Sequence, residues 1–154
     1  MEQRTSPPRI LIVEPEPSAL ASFRFLAEAE GWEVDCASGP ESVAPKLAGR
    51  AIDAALIDLD YCRREGTGAG APSLLQRIRA LDEDLPVVVS APMGSVELVR
   101  EALADGARDF IQKPWDSLRL RTILRNQIEL RRALVGLREA GGQSRARRGE
   151  RGRG

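Results

Sequence analysis

Five polar residues lie at or just beyond the ends of short apolar runs, and their types are those that phosphoryl transfer needs. They are Glu14, Asp58, Asp60, Ser90 and Lys113. Carboxylate oxygens are preferred ligands of Mg²⁺, and an aspartate beside such a cation can accept a phosphoryl group. A lysine ammonium and a serine hydroxyl can then stabilise the transferring oxygens. This chemistry requires that the five residues, distant in the sequence, converge in the fold.

The apolar runs that precede these residues have the length of β-strands. Four of them are Ile10–Val13, Ala54–Ile57, Pro86–Val89 and Arg108–Ile111. Uninterrupted apolar runs indicate strands of a parallel sheet covered on both faces, whereas the alternating segment Trp32–Ala37 is typical of an edge strand. We therefore expect five strands, with the segment Trp32–Ala37 at an edge of the sheet.

Segments with helical spacing separate these runs. Proline, serine, glycine or aspartate marks their expected starts at Pro17-Ser18, Pro72, Gly94-Ser95 and Asp116-Ser117. Strands that alternate with helices predict an α/β fold, a doubly wound five-stranded parallel sheet with helices on both faces. Ligands of such sheets bind at the carboxyl ends of the strands, which is where the five polar residues lie.

Composition narrows the class of protein. The 154 residues, 42% of them apolar, are enough for one domain. The chain has no histidine, which removes the commonest general base and any phosphohistidine intermediate. Cys36 and Cys62 fit neither a disulfide framework nor a zinc motif, so we expect reduced thiols without a chemical role. With no secretory signal and no apolar segment of membrane-spanning length, we expect a soluble cytoplasmic protein that binds no membrane.

Charge is unevenly distributed although the net charge is zero. Residues 116–154 contain 11 Arg and four acidic residues, so residues 1–115 are acidic. We expect a polar, disordered leader over 1–8, a domain over 9–138 and a disordered Arg- and Gly-rich tail over 139–154. The tail has no aromatic residue for stacking on bases, so we expect no nucleic-acid binding by this chain alone.

Four motifs, in order along the chain, resemble the receiver domain of bacterial two-component response regulators. They are Ile-Leu-Ile-Val-Glu14-Pro15-Glu16-Pro17, Leu56-Ile-Asp58, Ser90-Ala91 and Lys113-Pro114. Each motif alone is weak, but together, at the ends of four strands, they are specific. The resemblance covers about residues 9–135. The segments Gln112–Asp116 and Arg125–Arg132 are similar, more narrowly, to receivers attached to ATPase-type transcriptional activators.

The resemblance implies a role for each matching residue. Asp58 is the phosphoacceptor, which a partner sensor histidine kinase phosphorylates, and Lys113 contacts the acyl phosphate. Ser90 is the switch hydroxyl and Phe110 the switch aromatic. Phosphorylation is expected to remodel a surface within residues 94–132, through which the chain forms a homodimer or binds an effector protein. The resemblance also implies a cis peptide bond between Lys113 and Pro114.

The chain departs from the family at Pro15. Receivers usually have two adjacent acidic residues here, but Pro15 offers neither a carboxylate nor a backbone donor. The resemblance assigns Mg²⁺ to Glu14, Asp58 and Asp60, and it implies that Asp60 binds through its backbone carbonyl and adds a carboxylate nearby. Two functions stay open, a phosphorylatable receiver and a pseudo-receiver, a protein-interaction module of the same fold that takes no phosphate.

The connection over residues 59–71 is about five residues longer than in a usual receiver, and long loops of compact domains are often functional. It either folds over the pocket or is a flexible insertion. Its glycine-rich end, 66–71, is similar to a dinucleotide-binding pattern but does not follow the first strand. A small nucleotide-binding domain is therefore the weakest of three hypotheses.

Overall fold

A sheet of five parallel strands organises the part of the chain that the structure describes. This structure is a computed structural model, which describes residues 6–62 and 72–151 and their side chains up to residue 142. The strands are β1 (Arg9–Val13), β2 (Glu33–Cys36), β3 (Ala54–Asp58), β4 (Val87–Ala91) and β5 (Asp109–Gln112). Their order in the sheet is β2-β1-β3-β4-β5, and every pairing is parallel.

The predicted doubly wound α/β fold is confirmed. The residues of β3 and β4 are all buried, as expected for apolar strands inside a sheet covered on both faces. The alternating segment Trp32–Ala37 forms the edge strand β2, whose residues are exposed or half-buried.

Helices cover both faces of the sheet. They are α1 (Pro17–Glu30), α2 (Val43–Gly49, after a 3₁₀ turn over Pro40–Ser42), α3 (Leu59–Cys62), α4 (Leu74–Leu81), α5 (Val96–Ala104) and α6 (Ser117–Arg151). Helix α1 begins at Pro17 and ends at Gly31, whose φ of 75° lies in the left-handed region that favours glycine. Asp116 caps α6 by accepting a hydrogen bond from the Arg119 backbone N–H at 2.9 Å.

Alternation along the strands divides the core into two clusters. On one face, Ile10 and Ile12 of β1 belong to a cluster with α1 and α6, which contribute Phe23 and Leu120 among others. On the other face, the cluster contains residues of α2, α3, α4 and α5, together with Leu11 of β1. Residues two positions apart in a strand point to the same face of the sheet. A polar residue at a strand end therefore lies on the same face as the buried residue two positions before it.

Helix α6 is longer than predicted. It continues to Arg151, through most of the 139–154 segment for which the sequence predicts disorder. Arg, Ala, Glu and Gln, which have high helix propensity, make up much of this stretch, so the helix continues through Gly141 and Gly142. The leader predicted over 1–8 lies partly outside the described residues, and within it the Pro8 carbonyl already accepts a hydrogen bond from the Glu33 N–H.

The connection after Asp58 begins with one helical turn, α3, where the sequence predicts loop from Leu59 onward. Leu59 and Cys62 are buried in the core, which favours a helical turn that points both side chains inward. Residues 63–71 lie outside the described residues, so the predictions for the long connection and its glycine-rich pattern stay predictions. Within the described ranges, no helix is long and apolar enough to cross a membrane.

Candidate functional site

Four of the five predicted site residues lie at or just beyond the carboxyl ends of their strands. Glu14 follows β1, and Asp58 ends β3 directly opposite Ser90 of β4 in the strand register. Lys113 follows β5, and its backbone N–H donates to the Ala91 carbonyl at 2.8 Å. The parallel sheet therefore brings together residues that are up to 99 positions apart in the sequence.

The Lys113 ammonium connects the two carboxylates of the pocket. Its Nζ donates to Glu14 Oε1 at 2.6 Å and to Asp58 Oδ2 at 2.7 Å. The Asp60 backbone N–H donates to the other Asp58 oxygen, Oδ1, at 2.9 Å. The side chains of Glu14 and Asp58 are only 1% and 6% exposed, so Lys113 compensates two nearly buried negative charges.

These contacts also affect the titration of Lys113. Burial lowers the pKa of its ammonium, but the hydrogen bonds to Asp58 and Glu14 outweigh this effect, and the net shift is upward. Lys113 is therefore charged throughout the neutral range and serves the pocket as a fixed positive charge.

Glu14 is held in a local turn around Pro15. Its Oε1 also accepts a hydrogen bond from the Glu16 backbone N–H at 3.1 Å. The second oxygen, Oε2, is buried without a hydrogen-bond partner. A buried carboxylate oxygen left unpaired is costly, so this oxygen is available to a positively charged ligand.

The structure does not group the carboxylates of Glu14, Asp58 and Asp60 into one cation site. Among the side chains described, no three His, Cys, Asp or Glu residues are grouped so that they could hold a metal ion. Asp60 is exposed on α3, and Pro15 supplies no second acid. A Mg²⁺ ion needs only one or two protein carboxylates when phosphate oxygens and waters complete its shell. Glu14, with its unpaired oxygen, and Asp58 fit that smaller role.

Trp115 belongs to the site, although no motif in the sequence assigns it a role. Its indole N–H donates to Ser90 Oγ at 2.9 Å, and its ring lies 6.0 Å from Lys113 Nζ. Ser90 is fully buried. The one available signal was that Trp115 lies two residues after Lys113, beyond the cis peptide bond between Lys113 and Pro114. This position does not specify the partner of the indole. The cis bond itself is as predicted.

Phe110, the predicted switch aromatic, lies away from this pocket. Its side chain is 37% exposed and lines an apolar cavity of about 310 Å³ between α5 and β5. Met93, Val96 and Leu103, all exposed, also line this cavity. Phe110 therefore contributes to a surface within the predicted 94–132 region and not to the core.

Cys62 lies beside the pocket, but its thiol has low reactivity. Its thiol donates to the Asp58 carbonyl at 3.6 Å. Burial, with smaller contributions from the charges of Asp58 and Asp105, raises the pKa of Cys62 to about 12. Both Cys36 and Cys62 are free cysteines, as predicted.

Comparison with known proteins agrees with this geometry. A family model described as the response regulator receiver domain matches residues 10–125. The C4-dicarboxylate transport transcriptional regulatory protein DctD of Rhizobium meliloti (strain 1021) is 30% identical over 128 residues, 83% of this chain and 27% of that protein. The transcriptional regulatory protein PrrA of Mycobacterium leprae (strain TN) is 31% identical over 116 residues, 75% of this chain and 47% of that protein.

Solved structures share the fold. NtrX from Brucella abortus in complex with ADP superposes with a TM-score of 0.73 at 24% identity, covering 88% of this chain and 30% of that one. The N-terminal signal receiver domain of a two-component system response regulator from Bacteroides fragilis gives 0.69 at 27% identity, covering 80% and 98%. This chain thus spans less than a third of DctD and NtrX but almost all of an isolated receiver. It belongs to the family of response regulator receiver domains of two-component signalling systems.

Proposed function

We propose that the chain accepts a phosphoryl group on Asp58 from a sensor histidine kinase and changes its surface in response. The observation that carries this proposal is the double contact of Lys113 Nζ with Glu14 and Asp58. It supplies a fixed cation at a nearly buried aspartate, at the edge of the sheet where ligands of this fold bind.

The transfer needs a donor outside the chain, which has no histidine. An oxygen of Asp58 attacks the phosphorus of the kinase phosphohistidine and forms a P–O bond. The P–N bond breaks, and the imidazole nitrogen keeps the electron pair and takes up a proton. Lys113 balances the negative charge of the resulting acyl phosphate, while Ser90, opposite Asp58 in the register, places a hydroxyl beside it.

Mg²⁺ is part of this proposal, with Glu14 and Asp58 as the carboxylates that would hold it. When bound, the ion would neutralise the oxygens of the transferring group. The unpaired Oε2 of Glu14 supports this assignment, because a buried carboxylate oxygen without a donor is stabilised by a cation. Asp60 is left out of the side-chain ligands, since its carboxylate is exposed.

The output surface is proposed to be the apolar face of α5 and β5, within residues 94–132. Val96, Leu103 and Phe110 on this face are 65%, 42% and 37% exposed, and contiguous apolar exposure marks interaction sites. A second copy of the chain or an effector protein would bind there, in the cytoplasm. The relatives are named as transcriptional regulatory proteins, so we include control of transcription in the proposal.

The pseudo-receiver is the second candidate, and one observation favours it. Lys113 pairs with both carboxylates, so their negative charges are compensated within the chain. A protein-interaction module does not require Glu14 and Asp58 to bind a metal ion or a phosphoryl group, so Pro15 does not impair it.

Intact-mass measurement separates the two candidates. The purified chain is incubated with acetyl phosphate, with and without Mg²⁺, beside Asp58→Asn, which is nearly isosteric and lacks the nucleophile. A receiver forms a phosphoryl adduct with Mg²⁺, and Asp58→Asn does not. A folded wild-type chain that forms no adduct at any Mg²⁺ concentration would establish the pseudo-receiver.

Pro15→Asp tests the metal assignment separately. Restoring a carboxylate beside Glu14 should tighten Mg²⁺ binding in titration calorimetry, because charge count sets the affinity of such sites. Glu16→Asp, which keeps the charge of a nearby exposed acid, is the control. Equal Mg²⁺ affinities of Pro15→Asp and the wild type contradict the placement of the ion beside Glu14.

A further inference from the structure

Trp115 contacts both of the groups that a phosphoryl group on Asp58 would attract. Its indole N–H donates to the Ser90 hydroxyl oxygen at 2.9 Å, and its ring faces Lys113 Nζ at 6.0 Å, within the range of a cation–π interaction. Trp115 also contacts Phe23 of α1. The two rings pack edge-on, with 6.2 Å between their centroids and 78° between their planes. Trp115 thus joins the pocket to α1 and, one residue later, to the cap of α6.

We propose that Trp115 is a positioning residue that holds Ser90 in the unphosphorylated arrangement and carries the response of Ser90 to α1 and the start of α6. The proposal rests on the proposed phosphorylation of Asp58. It assigns this role to a residue outside the four family motifs.

Strand geometry explains why Ser90 is linked to Trp115. Ser90 extends the face of Val88, which packs in the cluster of α1 and α6, and Trp115 packs against that same cluster. Phe110 lies on the other face of β5, on the apolar cavity beneath α5. The hydrogen bond that the Ser90 oxygen accepts therefore comes from the α1 and α6 side of the sheet.

Phosphorylation changes both contacts of the indole. A phosphoryl group adds acceptor oxygens near Ser90 and Lys113, and charged acceptors form stronger hydrogen bonds than neutral ones. When Ser90 rotates about its Cα–Cβ bond to donate to these oxygens, its Oγ moves away from the indole, and the Trp115 N–H loses its acceptor. The indole then reorients, or its N–H donates to water instead, and either change alters the packing of the ring on Phe23.

The first measurement follows the Trp115 indole N–H by NMR in a Trp32→Phe background, where it is the one tryptophan left. Ser90→Ala should shift this resonance and speed its hydrogen exchange, because the acceptor is gone. An unchanged resonance would show that the contact does not exist and would overturn the proposal without bearing on Asp58.

The second measurement adds acetyl phosphate and Mg²⁺ to the same protein. The indole resonance should move as the phosphoryl adduct accumulates by mass, and stay in place in Asp58→Asn. An adduct with a stationary indole resonance overturns the role of Trp115 while leaving the phosphoacceptor intact. No adduct at all overturns the phosphoacceptor and, with it, the switch.

Trp115→Phe then removes the N–H but keeps an aromatic ring against Phe23. Loss of a hydrogen bond of ordinary strength corresponds to about a 2- to 12-fold change in an equilibrium, so the ratio of phosphorylated to free protein should rise by that factor. In the Ser90→Ala background the same substitution should have no effect. Equal effects in both backgrounds would reduce Trp115 to a packing residue and contradict the proposal.

Discussion

At the scale of single residues, the pocket depends on one lysine between two acids. Neither Glu14 nor Asp58 is exposed enough for water to replace the Lys113 ammonium, since their side chains are 1% and 6% exposed. Removal of one partner from such a group leaves uncompensated buried charge.

Lys113→Met should therefore destabilise the fold, because it keeps the length of the side chain but removes the cation. We expect a loss of about 1–3 kcal/mol in the free energy of unfolding, measured by urea denaturation, as for a buried acceptor left unsatisfied. Lys46→Met is the matched control, since Lys46 is 42% exposed and lies 3.8 Å from Asp35. Similar losses for both variants would contradict the buried ion pairs.

Cys62 gives a pH-dependent prediction. Its pKa rises from 9.0 to about 12 on folding, so folding favours the neutral thiol. The stability that this group contributes is complete below pH 9 and declines as the pH rises from 9 toward 12. At pH 8 a thiol reagent should modify half-buried Cys36 first and Cys62 only on unfolding. Equal rates for the two thiols in the folded protein would refute this description.

The sequence predicted the convergence of Glu14, Asp58, Ser90 and Lys113, because strand ends of a parallel sheet share one edge. It did not predict the surroundings of each side chain. Whether an acid two residues past a strand points inward depends on the local turn, and α3 leaves Asp60 exposed. The indole of Trp115 could not be assigned a partner, because its orientation is set by packing against a helix distant in the sequence.

At the scale of elements, the start of α4 illustrates what a local cap contributes. The Ser73 hydroxyl accepts from the Gln76 N–H at 3.2 Å, and the Gln76 side chain accepts from the Ser73 N–H at 2.9 Å. This reciprocal capping box satisfies two backbone donors that a helix start leaves unpaired. It explains why α4 begins at Leu74 and not at Pro72, as the sequence had suggested.

Ser73→Ala should cost about 1 kcal/mol in the free energy of unfolding, since it removes an N-cap hydrogen bond. Ser95→Ala is a control at the same position of α5, where the serine makes no capping hydrogen bond through its side chain. Chemical denaturation of both variants checks this difference, and equal losses would show that the capping box does not stabilise the fold.

Arginine side chains attach the middle of α6 to the body. Arg131 donates two hydrogen bonds to Asp82, at 2.8 and 2.5 Å, and Arg132 donates to Asp53 at 2.9 Å. Helical periodicity indicated α6 but not these contacts, because the acids come from loops whose distance from the helix only the tertiary fold sets. Paired arginines also keep the helix on the body beyond Ile128, the last buried apolar residue among the α6 side chains that the structure describes.

Arg131→Ala should lower the free energy of unfolding by about 1.5–3 kcal/mol, the usual contribution of hydrogen bonds to charged groups. Arg100→Ala is the control, because Arg100 and its neighbour Glu97 are more than 70% exposed and 3.7 Å apart. Such surface pairs contribute roughly 0–1 kcal/mol. Equal denaturation midpoints of Arg131→Ala and Arg100→Ala would contradict a structural role for the paired arginine.

At the scale of the whole molecule, the uneven distribution of charge along the sequence contributes to contacts within the fold. The basic C-terminal segment forms a helix whose arginines pair with acids of the body, including Glu30, which accepts from Arg121 and Arg125. This asymmetry consists of a basic segment over 116–154 and an acidic body over 1–115. The structure shows that part of it holds α6 against the sheet, while the pocket stays at the opposite, carboxyl end of the strands.

The most direct test of the account is to locate the phosphoryl group. Borohydride reduces an acyl phosphate, so treatment of the chain after incubation with acetyl phosphate and Mg²⁺, followed by peptide mapping, identifies the modified residue. We expect reduction at Asp58 and nowhere else, and no reduction in Asp58→Asn. Modification of another acid, or none in a folded chain with Mg²⁺ present, would contradict it.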